Sequence, residues 1–217
     1  MEAKELKTGT TTIGIKIKDF VVLAADMRAS MGHIAYEEES KKIYRITDNI
    51  AVTNAGSVGD SLTIIRFLTS HAKLYELERS AKFTARAAGT FLSNILNANR
   101  YYPFIAQFII GGMNDGSELY EVDPSGGLLE RSSYAASGSG TEFALNTLDL
   151  GYREDMSREE AVALAVRAIE SGKKRDVFSG GVSISVVTID RDGIKFLSEA
   201  EIAKIGDAQK NKAKAKK

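Results

Sequence analysis

Bulky and polar residues alternate from Thr10 to Lys18 around Ile13 and Ile15, and Phe20 to Asp26 continues with Val21, Val22 and Leu23. Two paired strands with a Lys18-Asp19 turn account for that pattern. A third apolar run, Asn49 to Ala55, stops at Gly56, where the chain can turn tightly. The periodicity then changes. From Asp60 to Leu77, Leu62, Ile65, Leu68, Ala72 and Tyr75 recur at three- and four-residue steps, which places them on one face of a helix. Phe83, Ala87, Phe91, Ile95 and Leu96 repeat the pattern in a second helix, which must end by Tyr102 because Pro103 disfavours helical geometry in the residue before it.

Strand-like runs return at Phe104 to Ile110, Glu118 to Val122 and Gly127 to Ala136, with Asn114-Asp115-Gly116 and Asp123-Pro124-Ser125-Gly126 as turns between them. Thr141 to Leu150 and Ser157 to Ser171 read as another helix pair, the second opened by a capping box of Ser157 and Glu160. A hairpin of Gly181 to Ile189 and Gly193 to Leu197 follows, turned through Asp190-Arg191-Asp192-Gly193. The order is strands, helix pair, strands, helix pair, strands. Each apolar face needs a partner, so the expected fold is α+β: a four-layer αββα sandwich of two antiparallel sheets flanked by helices.

Hydrophobic segments recur from Thr11 to Phe196 without a linker-like interruption, so the 217 residues, 43% of them hydrophobic, are read as one domain. Residues 206–217 are rich in lysine and poor in large apolar side chains, and are expected to be disordered. Lys+Arg 29 against Asp+Glu 29 leaves no net charge to favour nucleic acid or an anionic membrane. With Cys 0, disulfides, thiolate zinc sites and cysteine nucleophiles are excluded, which fits a reducing cytoplasm. The apolar runs are too short to span a membrane, and the charged start, Met1 to Gly9, lacks the apolar run of a secretory signal.

Chemistry has few carriers. His33 and His71 lack ligand spacing to a second histidine, so metal catalysis is not expected. A triad of Asp26, His71 and Ser139 can be written down, but Ser139 lacks the flanks of a nucleophile elbow. Gly56-Ser57-Val58-Gly59-Asp60 sits between a strand and a helix, yet lacks the lysine of a phosphate loop. What remains is Lys7-Thr8-Gly9-Thr10-Thr11-Thr12, where a charged leader meets three hydroxyl residues that would otherwise read as a polar edge strand.

That junction, followed by Ala25-Asp26-Met27-Arg28-Ala29-Ser30, Lys41-Lys42, Ala55-Gly56-Ser57-Val58-Gly59-Asp60, Gly138-Ser139-Gly140 and Arg175-Asp176-Val177-Phe178-Ser179-Gly180-Gly181, resembles the β subunits of the archaeal-type proteasome. The similarity runs from Gly9 to about Ile205. It implies an N-terminal nucleophile (Ntn) hydrolase fold for residues 10–205 and a propeptide, residues 1–9, removed by autocatalytic cleavage of Gly9-Thr10. By the same resemblance Thr10 becomes the nucleophile of a threonine endopeptidase, with Lys42 beside its hydroxyl and Asp26 holding the lysine. Ser139, Asp176 and Ser179 match positions around the threonine amine. Gly56 matches the backbone donor facing the oxyanion, and Ser30 and Gly56 would pair with extended substrate.

The implied substrate pocket is walled by Ala29, Ser40, Tyr44, Asn54 and Val58, and Asn54 departs from the apolar residue common at that position. Preference for cleavage after large apolar residues is therefore an open question. The resemblance further implies stacked heptameric rings with α subunits and other β subunits, unfolded polypeptide as substrate, and an unfolding ATPase acting through the α ring. No cofactor, nucleic acid or membrane is implied. The alternative, a non-catalytic structural ring subunit of the same fold, would be favoured by replacement of Thr10, Asp26 or Lys42, and all three are present. An unrelated Ntn amidohydrolase fits the Arg175-Asp176 and Ser179-Gly180-Gly181 motifs less well.

Overall fold

The first two strands, β1 (Thr12–Ile17) and β2 (Phe20–Asp26), form the expected hairpin in a computed structural model that describes residues 9–215. Two short strands, β3 (Ala29–Met31) and β4 (Ile34–Glu37), pair with each other, and β5 (Ile43–Arg45) leads into β6 (Ile50–Gly56). Helices α1 (Val58–Arg79) and α2 (Ala85–Ala98) come next, then β7 (Ala106–Met113), β8 (Ser117–Val122), β9 (Leu128–Glu130) and β10 (Tyr134–Ser137). The second helix pair is α3 (Thr141–Gly151) and α4 (Arg158–Arg175), followed by β11 (Ile184–Asp190), β12 (Gly193–Phe196) and α5 (Glu199–Ala215).

Strands β10-β1-β2-β11-β12 make one antiparallel sheet and β5-β6-β7-β8-β9 the other. The alternation along β2 shows how they stack. Phe20, Val22 and Ala24 face a core shared with α3 and α4, through Leu148, Leu164 and Ala168. Val21, Leu23 and Ala25 face the other way, onto Ile109 and Leu119 of the second sheet. The outer face of that sheet, with Val52, Phe108 and Ile110, packs on Ile64, Leu68 and Leu92 of α1 and α2. A strand with period-two side chains buried on both faces can serve two cores at once, which is why β2 reads as an unbroken apolar run. The four-layer αββα sandwich follows directly.

Local signals act where expected. The capping box of α4 is made, with Glu160 N donating to Ser157 Oγ at 3.2 Å and Ser157 N donating to the Glu160 carboxylate at 3.0 Å. His71 stacks on Phe91 with ring centroids 4.4 Å apart, tying α1 to α2 rather than joining Ser139 in a triad.

Three expectations need correction. The run from Gly127 to Ala136 is two strands in different sheets, because Arg131 is held to the second sheet by Glu121 at 2.6 Å while Ser133 O accepts Lys16 N of the first at 2.7 Å. The short strands β3, β4 and β5 were not expected; the first two carry no buried residue and so leave no apolar periodicity to read. Residues 206–217 were expected to be disordered, but as far as Ala215 they belong to the helix α5, which starts at Glu199; residues 216–217 lie outside the described residues. Its Ile202 and Ile205 dock on the α3-α4 core, and the Ala, Lys and Gln residues beyond are good helix formers.

Candidate active site

Thr10 lies two residues ahead of β1, at the open end of the two sheets, and is only 5% exposed. Its neighbour Thr11 is fixed to β2 by backbone pairing, Asp26 N donating to Thr11 O at 3.1 Å. The hairpin therefore delivers Asp26, the last residue of β2, beneath the Thr10-Thr11 peptide. Lys42 arrives just before β5, its carbonyl accepting Asn54 N of β6 at 3.0 Å, so one sheet contributes the acid and the other the base.

Asp26 is 0% exposed and Lys42 4%, and they form an ion pair at 2.6 Å. A buried carboxylate needs more than one partner, and this one has four donors: Lys42 Nζ at 2.6 Å and Thr11 N at 2.9 Å on Oδ1, Gly180 N at 2.8 Å and Arg28 N at 3.3 Å on Oδ2. Burial pulls the Lys42 ammonium below the ordinary lysine range, with the adjacent Asp26 carboxylate opposing that shift. Lys42 Nζ also donates to Gly9 O at 3.4 Å, and the Thr10 hydroxyl donates to the same oxygen at 2.6 Å. Cation and hydroxyl thus converge on the carbonyl of the Gly9-Thr10 bond.

A second network holds the nitrogen side of that bond. Thr10 N donates to Ser139 Oγ at 3.1 Å, and Ser139 Oγ in turn donates to Asp176 Oδ2 at 2.5 Å. Ser179 Oγ donates to the same Asp176 oxygen at 2.5 Å. A hydroxyl has one proton, so at the 2.7 Å contact between Thr11 and Ser179 it is Thr11 that donates. Asp176 caps the end of α4 and is steadied by Phe178 N at 3.2 Å.

Gly9, Thr10, Ala29, Ser30, Asn54 and Gly56 line one cleft, completed by Ser40, Lys41, Lys42, Tyr44 and Val58. Every expected binding residue thus stands around Thr10. Two glycines are dictated by close approach. A Cβ on Gly56, whose φ is +121°, would lie 2.2 Å from Ile105 O; one on Gly9 would lie 1.7 Å from Phe178 Cβ. Phe178 also holds the cleft wall, its carbonyl accepting Ser30 Oγ at 2.9 Å.

Thr11 is the residue the sequence reading undervalued. Taken as part of a polar edge strand, it is fully buried and serves both networks, its amide on Asp26 and its hydroxyl on Ser179. The signal for it was a run of three threonines immediately after a glycine, since buried hydroxyls need partners. Among the described residues no group of His, Cys, Asp and Glu is placed to hold a metal ion. Nor is any helix among them long and apolar enough to cross a membrane.

Comparison with known proteins agrees with this architecture. The family model described as proteasome subunit matches residues 6–189. The chain is 44% identical over 215 residues to a proteasome subunit beta of Methanocaldococcus fervens, covering 98% of this chain and 95% of that one. It is 49% identical over 191 residues to proteasome subunit beta 1 of Pyrococcus furiosus, covering 88% and 97%. Against proteasome subunit beta 2 of Thermococcus gammatolerans it is 50% identical over 192 residues, covering 88% and 96%. On these matches and the αββα fold, the chain belongs to the proteasome subunit family, among its β subunits.

Proposed function

We propose that the chain is a catalytic β subunit, a threonine-type endopeptidase that activates itself by cutting the Gly9-Thr10 bond. The observation that carries this reading is the convergence of Lys42 Nζ and Thr10 Oγ1 on Gly9 O, at 3.4 and 2.6 Å, with Lys42 neutralised by a fully buried Asp26. In self-cleavage the Thr10 oxygen adds to the Gly9 carbonyl carbon, and the Thr10 nitrogen leaves as an amine once protonated. Water then hydrolyses the resulting ester, releasing the leader as a carboxylate. Ser139 already holds that nitrogen, and Asp176 orients Ser139.

The free amine so produced changes what Thr10 can do. A threonine hydroxyl is too weak an acid to ionise at neutral pH, whereas an α-amine with a pKa of roughly 7.7–8.0 can take its proton. The hydroxyl then attacks a substrate carbonyl, its proton passes by way of the amine to the departing peptide nitrogen, and water hydrolyses the acyl ester. Lys42 lowers the cost of the developing alkoxide, and the Gly56 amide is assigned to the oxyanion. Loss of one such donor costs about 100- to 1000-fold in rate. Ala29, Ser30, Asn54, Gly56 and Val58 are assigned to substrate, with Ser30 and Gly56 pairing to extended backbone.

Assembly belongs to the same proposal. On this reading the chain sits in rings with other β subunits against rings of α subunits and acts in the cytoplasm on unfolded polypeptide delivered by an unfolding ATPase; its similarity to proteins named proteasome subunit beta supports the assembly. The exposed apolar residues Phe67, Leu74 and Leu77 along the outer helix α1 support an assembled state. The test is Thr10→Ala in co-assembled particles, read by N-terminal mass and by labelling with an electrophile selective for N-terminal nucleophiles. The wild-type chain should begin at Thr10 and be labelled there; the variant should keep Gly9 and show no peptide hydrolysis. A wild-type chain that retains its leader and resists the label would instead be a structural ring subunit.

A further inference from the structure

The side-chain oxygen of Asn54 has no hydrogen-bond partner among the described residues. The residue is 6% exposed and that oxygen, Oδ1, is buried, although Asn54 lines the cleft that holds Thr10. The backbone around it is satisfied, Asn54 N donating to Lys42 O at 3.0 Å, which fixes the place of the residue on β6. A buried amide left unpaired is costly, and an apolar residue would fill the same place at no such cost. The unmet group therefore points to a ligand that meets it.

We propose that Asn54 selects substrates whose residue on the acyl side of the scissile bond carries a neutral hydrogen-bond donor, with glutamine the best fit. This rests on the peptidase reading above. The other cleft groups set the chemistry. Ala29 and Val58 offer only apolar surface beside Asn54. Tyr44 cannot satisfy it, because its hydroxyl already donates to Lys41 O at 2.7 Å. The Lys41 ammonium sits 5.0 Å from the centroid of the Tyr44 ring and also lines the cleft, so a cationic side chain would meet a like charge. A carboxylate has no hydrogen to give Oδ1: even if Lys41 draws it in, it can only accept from the Asn54 amide nitrogen and leaves that oxygen unpaired. A neutral amide suffers neither conflict, and it pairs with Asn54 in either orientation of the two amide groups, each giving one N–H and taking one. A large aliphatic side chain has no hydrogen to donate and would leave Oδ1 unpaired.

The assay uses assembled, processed protein and four fluorogenic tripeptides that differ only in the residue before the fluorophore: Gln, Leu, Lys or Glu. The expected kcat/KM for Gln exceeds that for Leu by about tenfold, the scale of one unmet buried hydrogen bond. In Asn54→Leu the order of Gln and Leu should invert, while Thr10 still takes the covalent label; Asn54→Ala, which removes the amide without adding bulk, should erase the preference. Leu, Lys or Glu cleaved faster than Gln by the wild type overturns the specificity and leaves the peptidase reading intact. An unchanged Gln-to-Leu ratio in both variants does the same. No cleavage of any peptide together with no label on Thr10 overturns both.

Discussion

Asp26→Asn separates shape from charge at the centre of the site. The native carboxylate accepts from Lys42 Nζ and Thr11 N on one oxygen, at 2.6 and 2.9 Å, and from Gly180 N and Arg28 N on the other, at 2.8 and 3.3 Å. All four partners are donors. An asparagine must therefore turn its NH2 against one of these pairs, donor against donor, whichever way its amide points. It also removes the charge that compensates a lysine only 4% exposed. Removing one partner of a buried ion pair costs about 3–5 kcal/mol. For a chain of this size each 1 kcal/mol moves Tm by roughly 2–4 °C, so scanning calorimetry should show a fall of about 6–20 °C. Hydrolysis should suffer separately. Lys42, deprived of its counter-charge while still buried, gives up its proton and no longer favours the Thr10 alkoxide, which should lower kcat by about 100- to 1000-fold below the melting range. A variant that melts within about 2 °C of wild type and turns over peptide at half its rate or better would refute both the charge assignment and the energetics.

Two further outcomes follow from single distances and one pKa direction. Gly9→Ala sets a Cβ 1.7 Å from Phe178 Cβ, displacing the scissile carbonyl from Lys42 and the Thr10 hydroxyl. Leader removal, followed by mass spectrometry, should slow by about 100-fold, whereas enzyme that has completed processing no longer contains residue 9 and should hydrolyse peptides at the wild-type rate. Equal processing rates would show that the leader is not held as the structure has it. For Lys42 the folded-state pKa is lowered, chiefly by burial, so between that value and the unfolded one the native chain binds fewer protons than the unfolded chain. Its contribution to stability therefore rises with pH through that window, while activity that depends on the ammonium falls as pH rises through the lowered value. The alkaline limb of kcat/KM should lie below the ordinary lysine range, and a profile flat into that range would remove Lys42 as the activating cation.

How far the sequence could be read depended on whether a residue's neighbours share its element. Phe20, Val22 and Ala24 alternate with Val21, Leu23 and Ala25, and both sets are apolar because each faces its own core, so β2 and the layers on either side were legible. Period alone says which face a residue takes but not which sheet, and this is why β9 and β10 looked like one strand until the contacts of Arg131 and Ser133 divided them. The site was harder still. Asp26 and Lys42 meet at 2.6 Å only because two sheets end at the same place, and nothing local distinguishes that aspartate from a turn residue or that lysine from a solvated one. The resemblance to β subunits brought those two together; it had no means of showing that Thr11 joins both networks.

Asn54 marks the remaining limit. An amide in an apolar run announces that something polar must come to it, since a buried amide without partners is disfavoured. Its address and its vacancy are three-dimensional facts. On β6 it falls on the side away from Thr53, whose hydroxyl donates to Thr12 Oγ1 at 3.2 Å across the sheets, and so it stands apart from that hydroxyl chain. Shifted by one residue, the same amide would take the place of Thr53 and face the Thr12 and Ser137 hydroxyls. Register, more than composition, is what leaves a polar group free beside Thr10, and register is set by how β6 pairs with β7, a property of the whole sheet rather than of any segment.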